Sequence, residues 1–353
     1  MKQGIVIHRS KVPGEARRHR AIPGLSSLMG ILLLLCAVAV PARGEFSRPA
    51  PEQGPTRVTL VAYFLDVTEI HSAEQRFTAD VYFEVKWRDK RLAHPGRAPV
   101  RKDLEAVWNP GLQIVNQRNL TYTFPDLVEI SPGGDVTYRQ RVWGNFSQRM
   151  DLRDFPMDRQ VYTVKIAAIG YTPDEVELVP DPRVSYGISK ELSLPDWDVE
   201  EWNAKAFSLP GILDKQRKVN LIGFSFTARR NTGYYLYKII IPLILIVAMS
   251  WVVFLIDPKE GGTQIGVSMT AMLTLIAYRF AVGADLPKVS YVTRMDEFLL
   301  GATVLVFATM MEVIVTTMLA RAGQLETARR IDRWSQVVFP LLLVLVTAKA
   351  FLL

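Results

Sequence analysis

Four long apolar stretches near the C-terminal end restrict the fold of this chain more than any other feature. Each approaches the roughly 20 residues that a helix needs to cross the apolar core of a bilayer. Residues 233–353 are therefore predicted to form an all-α bundle of four transmembrane helices. The predicted helices are Tyr237–Ile256, Thr263–Val282, Phe298–Leu319 and Trp334–Leu353.

A cleaved signal peptide is predicted at the N-terminus. A basic stretch precedes the apolar run ILLLLCAVAV, and the small-x-small triplet Ala42-Arg43-Gly44 follows it. The apolar run is too short for a comfortable membrane span. Residues 1–44 are therefore interpreted as a signal peptide, and the polar, Pro-rich residues 45–56 as a flexible linker.

The charges of the membrane region agree with export of the N-terminal domain. Export places the turn Asp257–Gly262 and the loop Arg321–Arg333 in the cytoplasm, and this loop contains four arginines. Short cytoplasmic loops of membrane proteins are enriched in Lys and Arg. The positive-inside rule therefore supports an N-terminal domain outside the cell membrane.

Composition argues against several classes of function. Residues 1–44 hold seven Lys and Arg and one Glu, a net +6 of the chain's +7, so the mature chain is nearly neutral and no nucleic-acid partner is expected. The only cysteine, Cys36, lies in the same segment, and the mature chain keeps His71 and His94. Neither a metal centre nor a Cys/His nucleophile is expected. No cofactor is predicted, and the chain is not predicted to be an enzyme.

An all-β sandwich of about ten strands, immunoglobulin-like, is predicted for residues 57–232. In the run RFTADVYFEVKWR, apolar and polar residues alternate, as in a strand with one buried face. The segment Ser131-Pro132-Gly133-Gly134-Asp135 is typical of a hairpin turn, and Gly and Pro elsewhere recur at sandwich-like intervals.

The second apolar stretch carries a partly polar face. Five of its residues recur at spacings of four and three and therefore form one stripe on a helix, hydroxylated or small at the cytoplasmic end and apolar at the outer end. A single helix cannot enclose water, so a pore lined by this stripe requires several copies around an axis. The predicted pore-lining residues are Gly266, Thr270, Leu273, Ala277 and Phe280.

Five motifs follow one another along the chain: Trp87-x-Asp89, WNPGLQIVN, MDLRDFPMDRQVY, RNTGYYLYKIIIP and AYRFAVGADLPKVSY. Together they resemble the Cys-loop receptor family of pentameric ligand-gated ion channels, and most closely its bacterial members. The loop MDLRDFPMDRQVY matches the family's Phe-Pro-x-Asp core, while Met150 and Tyr162 stand where animal receptors have cysteines. The resemblance covers residues 57–353. It implies a homopentamer in the bacterial inner membrane, with a periplasmic ligand-binding domain, a small-molecule agonist and permeant inorganic ions.

The resemblance also implies how ligand binding reaches the pore. The Phe-Pro loop is expected to lie on the membrane surface and to touch the Asp285–Tyr291 linker between the second and third helices. Membrane-proximal solubility charges are the simpler interpretation of the acids and bases there. Leu273 is expected to form the hydrophobic constriction of the closed pore. The predicted gating residues are Phe155, Pro156, Asp158, Arg230 and Pro287, with Asp158 and Arg230 as an ion pair.

Ion selectivity is less clearly encoded. Cation channels of the family carry an acid immediately before the pore helix, and anion channels carry a Pro-Ala insertion there. The run Lys259-Glu260-Gly261-Gly262-Thr263 matches neither pattern. Glu260 and Asp285 are predicted selectivity residues, and their negative charges favour cations. The positive charge of the neighbouring Lys259 argues against this preference.

The family's ligand site lies between subunits in an aromatic box, and this sequence departs from it. Val115 and Ile169 replace two aromatics, so a cage for quaternary amines is not expected. Arg139 and Arg141 share a strand face and suit a carboxylate ligand, although an exposed basic strand face is the simpler interpretation. The predicted ligand-binding residues are Tyr82, Val115, Asn116, Arg139, Arg141, Ile169, Tyr171 and Phe207.

Two ionisable residues interrupt the predicted spans. Glu312 is a functional candidate because charged groups inside a membrane are costly, but it is also close enough to the cytoplasmic side to pair with arginines. Lys349 lies near the outer end of the last helix, where it can extend to the interface. The rival interpretation of the whole chain is a membrane-anchored periplasmic ligand sensor or enzyme without a pore.

Overall fold

The computed structural model describes residues 47–183, 187–210, 218–284 and 286–352. Within these ranges, the residues from Arg48 onward belong to one compact unit. The predicted signal peptide and the predicted selectivity residue Asp285 lie outside the described residues.

Eleven strands form two sheets in the described part of the N-terminal domain, which agrees with the prediction of about ten. The seven-stranded sheet has the order β3-β6-β7-β2-β1-β9, with β5 also paired to β7, and the four-stranded sheet has the order β10-β11-β8-β4. The strands are β1 Thr56–His71, β2 Arg76–Arg88, β3 Val100–Asp103, β4 Leu112–Ile114, β5 Gln117–Tyr122, β6 Leu127–Ile130, β7 Asp135–Ser147, β8 Arg159–Ala168, β9 Val176–Pro180, β10 Trp197–Pro210 and β11 Lys218–Arg230.

Alternation along β2 positions the core of the sandwich. Its odd-numbered residues from Phe77 to Trp87 are buried, as the sequence pattern predicts. Phe77 packs edge-on against Tyr162 and Phe226 of the smaller sheet, with ring centroids 5.4 and 5.9 Å apart. The two inner faces therefore meet in an aromatic core, and the even-numbered residues of β2 point to the outer face of the larger sheet.

The predicted turn at residues 131–135 joins β6 to β7. The Gly134 N–H donates to Ser131 O at 2.9 Å. Gly134 has a φ of +84°, and a Cβ there would lie 2.5 Å from Asp89 O. Glycine is required at this position both by the backbone conformation and by the close approach of the Trp87-x-Asp89 motif.

Four helices follow the sandwich, and each is long and apolar enough to cross a membrane. The predicted fold class, an all-β sandwich followed by four transmembrane-length helices, is confirmed. The helices are α1 Gly233–Leu255, α2 Pro258–Val282, α3 Arg294–Arg321 and α4 Leu325–Phe351.

Helices α3 and α4 begin earlier than the apolar pattern predicts. Helix α3 begins at Arg294 because Thr293 and Asp296 form a capping box. Helix α4 begins at Leu325, so most of the predicted cytoplasmic loop Arg321–Arg333 is helical. The polar first turns of α4 are amphipathic and bury Ala328, Asp332 and Ser335. The length of the apolar run therefore did not predict the first nine residues of α4.

The segment predicted as a flexible linker is folded where the structure describes it. The Arg48 guanidinium donates to Gly54 O at 2.6 Å and to Pro51 O at 3.1 Å. A short helical turn at Pro51–Gln53 lies between these acceptors. Residues 48–56 are therefore held as a closed turn before β1.

Candidate functional site

A buried ion pair lies where the sandwich meets the helices. Arg230, the last residue of β11, donates through Nε to Asp158 Oδ1 at 2.7 Å and through a terminal nitrogen to Oδ2 at 3.1 Å. Burial lowers the pKa of Arg230, but the Asp158 carboxylate outweighs it, so the pKa of Arg230 lies above its ordinary value. The predicted Asp158–Arg230 pair is present.

Aromatic rings and the turn between β1 and β2 enclose the Arg230 guanidinium. The guanidinium carbon lies 4.2 Å from the ring centroid of Trp197 and 5.0 Å from that of Phe155. Its terminal nitrogen also donates to Ser72 Oγ at 2.9 Å, in the β1–β2 turn. The guanidinium carbon also lies 5.9 Å from the ring centroid of Tyr235 in α1. Arg230 therefore contacts the β1–β2 turn, the Phe-Pro loop and the start of α1.

The Phe-Pro loop completes the N-terminus of α3. The first N–H groups of a helix have no partner within the helix. Here the Arg294 N–H donates to Arg153 O at 3.0 Å, and the Met295 N–H donates to Phe155 O at 3.2 Å. An Arg294–Asp154 ion pair at 2.8 Å lies beside them. The extracellular loop thus supplies hydrogen-bond acceptors that α3 lacks.

The same loop contacts the linker between α2 and α3, as predicted. The Leu152 N–H donates to the Tyr291 hydroxyl at 2.8 Å. The Arg153 guanidinium lies over the Tyr291 ring, 5.4 Å from its centroid. Pro287 lines a cleft of about 210 Å³ together with Ser72, Phe155 and Arg230. Four of the five predicted gating residues, Phe155, Asp158, Arg230 and Pro287, are therefore at or beside this junction, and Pro156 follows Phe155 in the loop.

Helix α2 has one packed face and one open face. Its packed face includes Gln264, Ser268, Ala271 and Leu275, all buried against the rest of the subunit. The five predicted pore-lining residues all lie on the exposed side, with Leu273 64% and Phe280 83% exposed. Thr270 and Thr274 donate their hydroxyls to the carbonyls of Gly266 and Thr270, at 2.9 and 2.8 Å. Nothing within the described subunit covers this face.

The cytoplasmic end of α2 depends on a close helix contact. Gly261 packs against α3 so tightly that a Cβ would lie 2.4 Å from Thr317 Cγ2, whereas a Cβ on Gly262 would meet open space. Both glycines are helical. Glu260, in the first turn of α2, is exposed.

One part of the predicted ligand set lies on the outer face of the larger sheet. Tyr82 pairs in register with Arg141, and Glu84 with Arg139. Arg141 Nε donates to Asp80 Oδ1 at 2.9 Å, and Arg139 Nε donates to Glu84 Oε2 at 2.8 Å. Both guanidinium groups are therefore neutralised within the subunit, and a carboxylate ligand has to compete with these acids.

Arg139 is the centre of an ion-pair ladder across β3, β6, β7 and β2. It donates to Glu129 Oε2 at 2.5 Å, and Arg101 donates to Glu129 Oε1 at 2.9 Å. Burial of Glu84 raises its pKa, but hydrogen bonds from Lys86 and Arg139 outweigh this and lower it. Hydrogen bonds from Arg139 and Arg101 lower the pKa of Glu129.

This ladder predicts an acid-sensitive sheet. Because both folded-state pKa values are lowered, the carboxylates stabilise the sheet above their unfolded values of about 4.3, and the contribution is lost as the pH falls through the folded values. Arg139→Met is expected to lower the unfolding free energy by about 1 kcal/mol at neutral pH. The further decrease of the unfolding free energy in acid is expected to be smaller in the variant than in wild type. Thermal unfolding at a series of pH values measures this. Arg118→Met, on β5, is the control, and an equal response of both variants would contradict the prediction.

The other part of the predicted ligand set lies on the outer face and edge of the smaller sheet. Val115 and Ile169 are exposed, by 46% and 42%. Phe207 lies beside Gly223, where a Cβ would be 3.2 Å from Phe207 Cε1. The Tyr171 hydroxyl accepts a hydrogen bond from Trp108 Nε1 at 2.9 Å.

Asn116 holds the local backbone of this second set. Its amide nitrogen donates to Ser147 O and Thr163 O at 3.0 and 2.8 Å, and its Oδ1 accepts from the Lys165 N–H at 3.0 Å. These bonds use most of the hydrogen-bonding capacity of its amide. The structure therefore gives Asn116 a positioning contact with β8, beside the exposed Val115.

The two parts of the ligand set lie on different sheets of one sandwich. Tyr82 and the two arginines face outward from the larger sheet, and Val115 and Phe207 belong to the smaller sheet. A single small ligand contacts both parts only if a second subunit brings its larger sheet against the smaller sheet of the first. Among the described residues, no group of three or more His, Cys, Asp or Glu side chains is arranged to hold a metal ion.

Several junction residues were not singled out from the sequence. Trp197 and Ser72 contact Arg230, and Tyr291 contacts the Phe-Pro loop. The Thr293-x-x-Asp296 spacing is a capping-box signal that predicts the start of α3. Trp197 and Ser72 lie far from Arg230 in the sequence, and no local pattern indicates their contacts.

Comparison with known proteins matches both regions of the chain. The family model described as the neurotransmitter-gated ion-channel ligand binding domain matches residues 44–232. The model described as the neurotransmitter-gated ion-channel transmembrane region matches residues 239–327. The gamma-aminobutyric acid receptor subunit beta-4 of Gallus gallus is 26% identical over 318 residues, which cover 82% of this chain. The matched region spans 64% of the length of that relative.

Proposed function

The chain belongs to the neurotransmitter-gated ion-channel family, and on this premise we propose that it is one subunit of a homopentameric ligand-gated ion channel. In this proposal, α2 from five subunits surrounds a central pore, and a small-molecule agonist binds between neighbouring sandwiches. The pore conducts inorganic ions down their gradient without covalent chemistry.

The open face of α2 is the observation that carries this proposal. The stripe from Gly266 to Phe280 is uncovered within the subunit, while the opposite face of the helix is packed. The threonine hydroxyls on this side already donate to backbone carbonyls, but their oxygens can still accept hydrogen bonds, for which water offers donors and lipid tails offer none. Five copies facing an axis give each Thr270 water and bring the Leu273 side chains together as a constriction.

The junction around Arg230 supports the proposed gating mechanism. An agonist that binds the open arrangement of the interfaces more tightly shifts the population toward the open pentamer. Movement of the sandwich is passed to the α2–α3 linker through Leu152 and Tyr291, and to α3 through its loop-capped N-terminus. The wetting of the Leu273 ring then opens the path.

The proposed agonist site uses both outer faces of the sandwich. One subunit contributes Tyr171, Val115, Ile169 and Phe207, and its neighbour contributes Tyr82. Arg139 and Arg141 form ion pairs with acids of their own subunit, so in this proposal they line the edge of the site and do not bind the agonist directly. We propose cation conduction, because Glu260 is exposed in the first turn of α2, and a bacterial inner-membrane location after cleavage of residues 1–44.

Cysteine accessibility tests the pore directly. The only cysteine in the sequence is Cys36, so new thiols can be introduced singly. Thr270→Cys is expected to give a channel whose agonist-evoked current is blocked by a water-soluble, charged methanethiosulfonate reagent. Ala271→Cys is the control, because Ala271 is fully buried on the packed face and its thiol is expected to stay unmodified. Equal reactivity of the two thiols would contradict the pore assignment.

The mass of the detergent-solubilised complex tests the assembly. Five copies of the chain are expected. A stable monomer or dimer removes the enclosed path and leaves a membrane-anchored ligand-binding protein without a pore.

A further inference from the structure

Two acidic side chains meet inside the cytoplasmic half of the helix bundle. Glu312 lies on α3 and Asp332 on α4, and Glu312 accepts a hydrogen bond from Ser335, which lies one helical turn after Asp332 on α4. Asp332 is only 3% exposed. Gln264, on the packed face of α2, is fully buried beside them, with Nε2 at 3.4 Å from Asp332 Oδ2. The cluster therefore joins three helices, one of which is the proposed pore helix.

Hydrogen bonding leaves three acceptor atoms of this cluster unpaired. Ser335 Oγ donates to Glu312 Oε1 at 3.2 Å, and Gln264 Nε2 donates to Ile256 O at 2.8 Å. Glu312 Oε2, Asp332 Oδ1 and Gln264 Oε1 are buried and have no hydrogen-bond partner. Each is an acceptor when both acids are ionised. The cluster therefore has more hydrogen-bond acceptors than hydrogen-bond donors.

The surrounding charges do not neutralise the two acids. Among the described residues, no Lys or Arg forms an ion pair with Glu312 or Asp332. The other charged group that acts on Asp332 is Asp257, in the α1–α2 turn, and its carboxylate is paired with Arg329 at 2.7 Å. The uncharged polar groups facing the pair are Thr316, Ser335 and Gln264. Two adjacent buried carboxylates without a cation repel each other strongly.

We propose that Glu312 and Asp332 share one exchangeable proton, which enters from the cytoplasmic side and holds α3 against α4. One proton turns one of the unpaired carboxyl oxygens into a donor and removes one of the two negative charges. A metal ion is the rival occupant, but the three unpaired oxygens are two carboxyls and one amide, fewer than the six or more oxygens typical of a calcium site.

The proton site has a consequence for the pore that rests on the proposed channel function. Gln264 connects Asp332 to Ile256 O at the end of α1, and it lies two residues before Gly266 on α2. Loss of the proton places a second charge in this contact and weakens the packing of α2 against α4. Raising the cytoplasmic pH is therefore expected to change the agonist-evoked current.

Infrared spectroscopy of the reconstituted full-length protein tests the proton site without reference to conduction. A protonated carboxyl gives a C=O stretch that is separate from the carboxylate bands and shifts in D₂O. Wild type is expected to show this band at neutral pH and to lose it as the pH is raised, because a buried carboxyl beside a second acid holds its proton longer than an exposed one. Glu312→Gln and Asp332→Asn are each expected to remove the band. Glu297→Gln, on the same helix but paired with Lys349 at 3.7 Å, is the control and is expected to keep it.

Thermal unfolding gives a second readout. Because the folded protein holds a proton that the unfolded chain releases at neutral pH, the unfolding temperature of wild type is expected to fall as the pH rises. This fall is expected to be smaller in Glu312→Gln and in Asp332→Asn, and the second variant serves if the first does not assemble. A band absent from wild type, or retained in both variants, overturns the proposal. So does an unfolding temperature that follows Na⁺ or Ca²⁺ concentration at constant pH in wild type only.

Patch-clamp recording from excised membrane patches distinguishes the proton site from its coupling to the pore. A current that responds to cytoplasmic pH in wild type and not in Glu312→Gln supports the coupling to the pore. A pH-independent wild-type current, together with a titrating infrared band, overturns the coupling and keeps the proton site. Absence of any current with a titrating band contradicts the proposed channel function alone.

Discussion

Replacing Arg230 with alanine is expected to lower the unfolding free energy by about 3–5 kcal/mol and to abolish agonist-evoked current. The substitution leaves Asp158 buried, 2% exposed, without its cation. Removing one partner of a buried ion pair costs this much because the remaining charge is uncompensated. It also removes the guanidinium from between Trp197 and Phe155. Thermal unfolding of the solubilised complex and patch-clamp recording measure the two effects.

The neighbouring residue provides a matched control for this prediction. Arg229 is 60% exposed in its side chain and lies 3.4 Å from Glu200. Arg229→Ala is expected to change the unfolding free energy by no more than about 0.5 kcal/mol, as is usual for surface substitutions. Arg230→Lys keeps the charge but loses the two-point contact with the carboxylate, so an intermediate loss is expected. If Arg230→Ala unfolds and gates like Arg229→Ala, the junction does not carry the coupling.

Replacing Leu273 with serine is expected to open the channel without agonist. Exposing a buried leucine side chain to water costs about 1.5–3 kcal/mol. The hydroxyl of serine is readily hydrated, so the same exposure costs serine little free energy. Since five copies change together, the closed state loses much of its advantage over the hydrated open state. The open fraction without agonist is expected to rise at least about tenfold, which corresponds to 1.4 kcal/mol. Patch-clamp recording before and after agonist measures it.

Leu341→Ser is the control for the pore substitution. Leu341 and Leu273 are the same residue type and are both 64% exposed in the isolated subunit, but Leu341 lies on α4. The proposed assembly turns Leu273 to the pore and leaves Leu341 facing lipid. Leu341→Ser is therefore expected to leave the resting current unchanged. Comparable resting currents in the two variants would mean that the effect of serine is not specific to α2.

Regular patterns made much of the fold predictable. Alternation in RFTADVYFEVKWR predicted β2 to the residue, because one face of that strand is core along its whole length. The helical stripe on the second apolar stretch predicted which side of α2 stays open, because the buried residues of the helix occupy the other side. Both results depend on local periodicity, which a sequence displays directly.

Contacts between distant segments were less accessible. The sequence suggested that Arg139 and Arg141 were available to a ligand, whereas acids on neighbouring strands already pair with them. The start of α4 was missed because its first turns are polar, and only packing against α3 shows that Asp332 is buried. The Asp158–Arg230 pair came from the family resemblance. Nothing in the local sequence distinguishes it from ordinary surface charges.

The capping of α3 by the Phe-Pro loop bears on the direction in which force is carried. Side chains in van der Waals contact resist compression steeply but attract each other only weakly per atom pair, whereas a hydrogen bond also resists being drawn apart. The bonds from Arg294 and Met295 to the loop carbonyls therefore transmit tension as well as compression. In the proposed channel, a sandwich attached in this way pulls α3 back to its resting position as well as displacing it, so that both opening and closing are driven from outside the membrane.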